Sequence, residues 1–382
     1  MTIECTLTGA QVLGPDGWTE APLTLADGLV QDSEVKRHVD LSGYTVLPGI
    51  IDVHGDGFER HMAPRRGALR EAENGVIACA SELAANGITT AVMAQFFSWE
   101  GGIRSPDFAE HVFDSVAKAQ PRVEIDLRAQ LRFETHLLDD IARAEAMIDR
   151  FGIDYVVFND HLPHTRLAEG RKPPRLVGQA LKAGRNPDAH FAFLLDLHAR
   201  SPDVPEAMDA LTRRLAQKGV VFGSHDDHTP DDRAIWSARG ATVSEFPETR
   251  EAAQAARADG AHIVLGAPNV VRGASHAGNI AAADLIADGL CDALASDYHY
   301  PSPLRAALRL DELGICDLAQ AWRLVSQGPA RLLRLSDRGD LMPGQRADVI
   351  VLDRSSRRVM ATIAAGRVAY MTGDVARRFL SI

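Results

Sequence analysis

The sequence predicts an α/β fold, a (β/α)8 TIM-like barrel with a small β-sandwich domain formed from both termini. Three observations carry that expectation. Through the middle of the chain, eight apolar, β-rich runs alternate with amphipathic helical stretches. Both ends, by contrast, are short strand-type runs punctuated by Gly, Pro and Asp. And the turn after the first central run, GIIDVHGDGFER, lacks the GxGxxG of a doubly wound open sheet, the runner-up architecture.

The elements follow in order. The N-terminal runs are CTLTGAQVL, then GPDGW, then PLTLADGLV. The central runs fall at 49–54, 88–94, 126–133, 154–158, 219–223, 241–245, 261–265 and 292–296. Amphipathic stretches follow at 71–86, 137–150, 206–218, 249–258 and 317–326. Strands alternating with helices call for βα units and a parallel sheet, and eight units in about 290 residues suit a barrel. Residues 166–203 exceed a usual βα loop and read as a lid or helical insertion. The chain then returns to strands, GDLMPGQRADVIVLD and RRVMATIAAGRVAY. The expected boundaries are 1–48 with 338–382 for the composite β-sandwich, and 49–337 for the barrel. Each terminal piece is too short to build a core alone, so the two are expected to pack on each other.

Composition narrows the function. With 46% hydrophobic and 24% charged residues, the 382-residue chain is an ordinary globular one. No stretch approaches the ~18 unbroken apolar residues of a membrane span. The start, MTIECTLTGAQVLGPDGW, has neither a basic n-region nor an apolar h-region. Cys5, Cys79, Cys291 and Cys316 lie far apart with no CxxC and read as thiols of a reducing compartment, so the expected location is the cytoplasm. The charge balance, 41 basic against 52 acidic for a net of −11, argues against a nucleic-acid partner. Only five of the 41 basic residues are lysine. Arginine is the better fork for phosphate or carboxylate, so an anionic small-molecule substrate fits.

In a barrel, chemistry sits at the C-terminal ends of the strands. Those ends carry His54-Gly-Asp56, Arg132-Phe-Glu134-Thr-His136, Asn159-Asp160-His161, Ser224-His225-Asp226-Asp227-His228, Glu245, Asn269 and Ser296-Asp297. His and carboxylate at most rim positions make a metal constellation by ligand type. In His54-Gly-Asp56, residues i and i+2 share a side and can grip one ion. Asp297, on the neighbouring last strand of a closed barrel, can reach it. Glu134, His161 and His225 arrive from the third, fourth and fifth strands. The ligands thus form two neighbouring sets with Glu134 between them, which suits two metals about 3.5–4 Å apart. A lone HxD arises by chance in many chains, and Ser-His-Asp-Asp also reads as a helix N-cap with an acidic first turn. It is the coincidence of ligand types at successive strand ends that favours a metal site. His38, His111, His190, His198 and His262 read as structural or solvated.

The stretch GAPNVVRGASHAGN, 266–279, offers Asn269, Arg272, Ser275 and His276 to an anion, although from composition alone an ordinary small-residue loop is the simpler reading. Arg132, together with Arg65, Arg66, Arg128, Arg171 and Lys172, adds phosphate candidates.

LPGIIDVHGD, GDLMPGQRADVIVLD and a β domain made from both termini resemble the amidohydrolase superfamily of metal-dependent barrel hydrolases. More narrowly, HGDGFERHMAPR, LRFE, NDH, SHDD, EFPET, GAPNVVRGASHAGN and ASDYHYPSPL resemble its branch of diphosphatases acting on α-D-ribose 1-methylphosphonate 5-triphosphate in phosphonate use. The likeness runs in consistent order from about residue 40 onward. It implies a hydrolase that releases pyrophosphate and leaves the 5-phosphate. It also implies His54, Asp56, Glu134, His161, His225 and Asp297 as metal ligands, with Asp297 carrying the proton. The superfamily's usual bridge is a carbamylated lysine, but Lys36, Lys118, Lys172, Lys182 and Lys218 all miss the strand ends, so Glu134 takes that place. The implied cofactors are two divalent ions, zinc first, with Mn, Fe or Co suiting the same ligands. HGDG stands where the branch has HTDN, and NDHLPHTRL where it has MDHxPGQRQ, and both leave the exact substrate open. The rival expectations are a C–N hydrolase, such as a deaminase or cyclic amidase, and an inactive barrel scaffold. A homodimer is expected by analogy of fold.

Overall fold

In the computed structural model, residues 2–63, 71–273 and 280–381 are described. The eight central runs form one eight-stranded sheet. Its strands are β1 (Ile50–Gly55), β2 (Ile88–Phe97), β3 (Asp126–Glu134), β4 (Tyr155–Asn159), β5 (Val221–His225), β6 (Val243–Glu245), β7 (His262–Gly266) and β8 (Ala293–Ala295). They follow one another around the sheet in chain order. The first and last meet through a parallel bridge between Gly55 and Asp297, which makes the sheet a barrel. β1, β2 and β4 are buried along their whole lengths. That is why they read as continuous apolar runs and not as alternating ones.

Two compact units divide the chain. The first comprises residues 1–93, 118–128 and 262–382. It holds two sheets besides its barrel strands. One orders Leu29–Gln31, Leu23–Ala26, Cys5–Thr8 and His38–Asp40. The other orders Arg367–Met371, Val359–Ala364, Val349–Asp353, Tyr44–Pro48, Gln11–Gly14 and Gly17–Thr19. Tyr44–Pro48 runs antiparallel to Val349–Asp353, with Pro48 opposite Val349 and Tyr44 opposite Asp353. Leu7, Leu25, Val46, Val349, Val351, Ile363 and Phe379 fill one apolar core between strands from the two ends.

The second unit comprises residues 94–117 and 129–261. Here β4 pairs in parallel with β3 and β5, and β5 with β6. A Cβ on Gly223 would lie 2.7 Å from the Val243 carbonyl, so only glycine lets β5 approach β6 this closely. Arg233 is buried behind the same pair. It donates to Ser224 Oγ (3.1 Å), to the carbonyls of Val243 (3.1 Å) and Ala241 (2.6 Å), and to Asp259 (2.8 Å). The long segment after β4 folds as helices Leu176–Lys182 and Pro187–Ala199. The latter is capped by Asn186, whose side chain accepts from the Asp188 N–H at 2.9 Å.

Most helices lie where the periodicity puts them, including Ala72–Ala85, Val204–Gln217 and Arg250–Ala258. The stretch expected at 137–150 becomes helical only over Ile141–Phe151, because Leu138–Asp140 wind as a tighter 3-10 turn first. Among the described residues, no helix is long and apolar enough to cross a membrane.

Candidate functional site

In the second unit, Glu134 ends β3 with its carboxylate fully buried. It accepts from Trp99 Nε1 (3.2 Å), from the His161 backbone N–H (3.2 Å), and pairs with His161 Nδ1 at short range. Partial burial works against a charged His161 ring, but the hydrogen bond and charge of Glu134 outweigh it and raise the His161 pKa. Glu100, also buried, is held by Arg104 at 2.8 Å.

His225 ends β5 with its ring 6% exposed. Arg132 Nη2 lies 3.1 Å from its Nε2, and a guanidinium only donates, so Nε2 is the acceptor. The ring proton is therefore on Nδ1, 3.0 Å from Asp226 Oδ2. Burial works against ionised Asp226, but His225, His161 and Arg132 outweigh it and hold its carboxyl below the usual range. Arg132 itself stacks 3.7 Å over the Phe96 ring. Glu245, at the end of β6, is fully buried and accepts through Oε1 from Tyr155 (2.8 Å) and Gln130 (2.9 Å). Its Oε2 lies 3.8 Å from His225 Nε2.

Asp227, next in the SHDD run, serves the frame. It accepts from Ser224 Oγ (2.6 Å) and Ser244 Oγ (2.8 Å). The helix that follows, Pro230–Ala238, is capped by Thr229 in a capping box with Asp232, so SHDD is not its N-cap.

In the first unit, His54 is fully buried near the end of β1. Beneath it, Asp52 accepts from Ser296 through both Oγ (2.5 Å) and N–H (2.9 Å). Burial pushes the Asp52 carboxyl up, and the Ser296 bonds oppose that. Asp297 is held by its backbone. Its N–H donates to the His54 carbonyl and its own carbonyl accepts from the Asp56 N–H, both at 2.9 Å. Its φ is +55°, and Asp226 (+59°) and Phe246 (+56°) are likewise left-handed just after their strands. A non-glycine residue in that region costs about 1 kcal/mol or more, and such strain gathers at functional positions.

Arg272 ends the helix Ala267–Arg272 and donates from Nη1 to Tyr298 OH at 2.9 Å. Asn269 turns its side chain to backbone, accepting from the Ala282 N–H at 3.1 Å. Ser275 and His276, like Arg65 and Arg66, lie outside the described residues.

The donor chemistry fits a divalent cation. In the second unit, Glu100, Glu134 and His161 each offer one ligand atom within 4.8 Å of the others, and so do His161, His225 and Asp226. His161 belongs to both groups. All donors are imidazole nitrogens or carboxylate oxygens, which suit first-row divalent ions. Of this set the sequence marks Glu134, His161 and His225 as ligands and leaves out Glu100 and Asp226, as it does Glu245, whose Oε2 lies 3.8 Å from His225 Nε2. Asp226 and Glu245 lay within runs already marked, SHDD and EFPET. For Glu100 the local sequence gave no signal.

Residues 57–370 match the model of the Amidohydrolase family. The chain belongs to the amidohydrolase family. As a member it is a hydrolase. This amidohydrolase is 33% identical over 336 residues to the alpha-D-ribose 1-methylphosphonate 5-triphosphate diphosphatase of Escherichia coli (strain K12), covering 86% of this chain and 88% of that one. Among solved structures it resembles a Xaa-Pro dipeptidase with bound methionine in the active site, at a TM-score of 0.66 and 14% identity, covering 97% of this chain and 100% of the other. It also resembles the N-acetylglucosamine-6-phosphate deacetylase of Pasteurella multocida, at a TM-score of 0.63 and 9% identity, covering 96% and 99%. At such identities these two speak for the fold alone.

Proposed function

We propose that this amidohydrolase cleaves a phosphoanhydride, releasing pyrophosphate from α-D-ribose 1-methylphosphonate 5-triphosphate in phosphonate catabolism. The observation that carries the reading is the 33% identity, across 86% of the chain, to a protein named for that reaction. The His and carboxylate residues at the strand ends support it, because a triphosphate needs both a water-activating centre and charge neutralisation.

The metal ligands in this reading are His54, Asp56, Glu134, His161, His225 and Asp297. When bound, two divalent ions, zinc first, supply a water of lowered pKa and offset phosphate charge. Asp297 accepts the proton of the attacking water at its carboxylate and passes it on to the leaving oxygen. Asp52 and Ser296 fix the backbone beside His54 and Asp297. Arg132, stacked on Phe96, and Arg272, braced by Tyr298, hold phosphate oxygens, with Asn269, Ser275 and His276 completing that cradle. The partner is a small anion, with no nucleic acid and no membrane. The chain works in the cytoplasm as a homodimer.

The test is direct. Purified chain is given the ribose methylphosphonate triphosphate, and pyrophosphate release is followed by phosphorus NMR beside a panel of amides and purines. Pyrophosphate with retention of the 5-phosphate is expected. Turnover of an amide or purine with an inert triphosphate would replace this reading by a C–N hydrolase.

A further inference from the structure

The cavity of about 570 Å³ onto which His161 and His225 open also has in its wall His136, Asp160, His164, His198 and Ser201. None of these belongs to the ligand set proposed above. His136 lies two residues beyond β3 and Asp160 directly follows β4. His164 opens the helix His164–Ala168, and His198 sits on Pro187–Ala199. From these we infer that the protein binds a further divalent transition-metal ion, held by His136 Nδ1, the Asp160 carboxylate and His164 Nε2.

The distances come first. His164 Nε2 stands 2.9 and 3.0 Å from the two Asp160 oxygens. His136 Nδ1 stands 3.6 Å from Asp160 Oδ1. One ligand atom from each of the three lies within 4.8 Å of the others. A small ion about 2.0–2.2 Å from each donor needs donors spaced on that scale.

Proton placement points the same way. The Ser201 hydroxyl spends its one proton on the His198 carbonyl, at 2.7 Å. Ser201 Oγ therefore accepts from His136 Nε2–H, at 3.1 Å. A neutral His136 then carries its lone pair on Nδ1, turned toward the Asp160 carboxylate. Thr135 Oγ1, 3.3 Å away, is a weakly placed donor to it. His164 Nε2–H and the Leu162 N–H (3.2 Å) both donate to that carboxylate, and a divalent ion that displaces the Nε2 proton has the His136 lone pair facing it.

The rear nitrogens complete the case. A metal-ligating histidine normally has its other ring N–H held by an acceptor, which fixes the ring and its tautomer. His136 has Ser201 in that role. His164 has His198, whose Nδ1 is 2.9 Å from His164 Nδ1. With the ion on His164 Nε2, the ring proton sits on Nδ1 and is donated to the His198 lone pair. Two nitrogens and a carboxylate supply three ligands, and the remaining positions open to the cavity, where water completes the set. Imidazole and carboxylate without thiolate favour zinc or another first-row ion over calcium or magnesium.

The test counts ions on the full chain. The protein is stripped with chelator, titrated with Zn(II) and with Co(II), and the bound metal is measured by mass spectrometry and by Co(II) visible absorption. Wild type is compared with His164→Ala, with the milder His164→Gln, and with His198→Ala, each checked for an unchanged thermal melt. His164 is about a third exposed (36%), so its truncation leaves the core intact. Both His164 variants should bind one ion fewer per chain and lose one Co(II) band. His198→Ala should keep the ion but hold it 10–100-fold more weakly, the usual loss for an outer partner. Equal stoichiometry and affinity in wild type and both His164 variants would overturn this site alone. His225→Ala, aimed at the proposed hydrolytic centre, should leave the His164-dependent ion in place. If His225→Ala removes that ion too, no separate site exists, and a wild type that takes up no ion at all overturns both.

Discussion

Arg132 donates its Nη2–H to Nε2 of His225 across 3.1 Å. The guanidinium thus occupies the lone pair that a metal on that nitrogen would use, so ion and arginine compete. Arg132→Gln should tighten metal binding at that centre about tenfold, the scale of one hydrogen bond to a charged group. The same change should raise KM for a triphosphate, since a phosphate fork is lost. Chelator competition and initial rates read the two effects separately. Weaker metal binding in the variant would mean that Arg132 supports the ligands and does not contest them.

Asp297→Asn is the cleanest test of proton transfer. Asparagine tolerates the left-handed backbone at least as well as aspartate, so the clamp to His54 and Asp56 survives. Turnover should fall by about 10²–10⁴. Near-normal turnover with metal retained would remove Asp297 from that role.

Glu134→Gln replaces a shared negative charge by a neutral amide between Trp99 and His161. Metal analysis should show lower occupancy of both ions of the proposed pair. Loss of one alone would make Glu134 a terminal ligand and send the search for the bridge elsewhere.

For Arg272, steering is the issue, because a chain of net charge −11 must present local positive charge to a triphosphate. Arg272→Ala should raise KM for the triphosphate by one to two orders of magnitude, or about 1.5–3 kcal/mol. Metal content should stay constant, and Arg272→Lys should recover only part of the loss, because the fork that Tyr298 braces is gone. A normal KM in the alanine variant would free the 266–279 stretch from phosphate binding.

Two thiols should be inert in the folded protein. Burial pushes Cys5 up to about 11 and Cys79 up to about 12, and Cys79 also donates to Tyr300 OH at 3.4 Å. At pH 8 that leaves about one part in a thousand of Cys5 as the reactive thiolate, and about a tenth of that for Cys79. An aromatic disulfide reagent should modify the half-buried Cys291 and Cys316 first and reach Cys5 and Cys79 only on unfolding. Rapid loss of all four in native buffer would contradict this burial.

The barrel was legible because its strands are buried on both faces, so runs such as ITTAVMAQFF announce themselves without any alternation to decode. The ligand types at the strand ends were legible for a related reason. His54, Glu134, His161 and His225 each lie within two residues of the end of such a run. Residues that meet only through tertiary packing were not. His164 and His198 sit 34 positions apart on two helices, and nothing periodic links them. His198 reads as a structural or solvated side chain in the sequence because its approach to His164 depends on how the 166–203 insertion folds back. Glu100 was hidden in the same way, since its approach to Glu134 and His161 is set by how β2 runs on into its loop.

The pairing of Tyr44–Pro48 with Val349–Asp353 sets a timetable for synthesis. Roughly 300 residues separate the two strands, and a ribosome adds about 5–20 per second. The N-terminal strands therefore leave the exit tunnel some 15–60 s before their central partner exists. Throughout that interval Tyr44–Pro48 offers an apolar, unpaired edge to whatever is nearby. A slow codon or a stall late in the message prolongs that exposure.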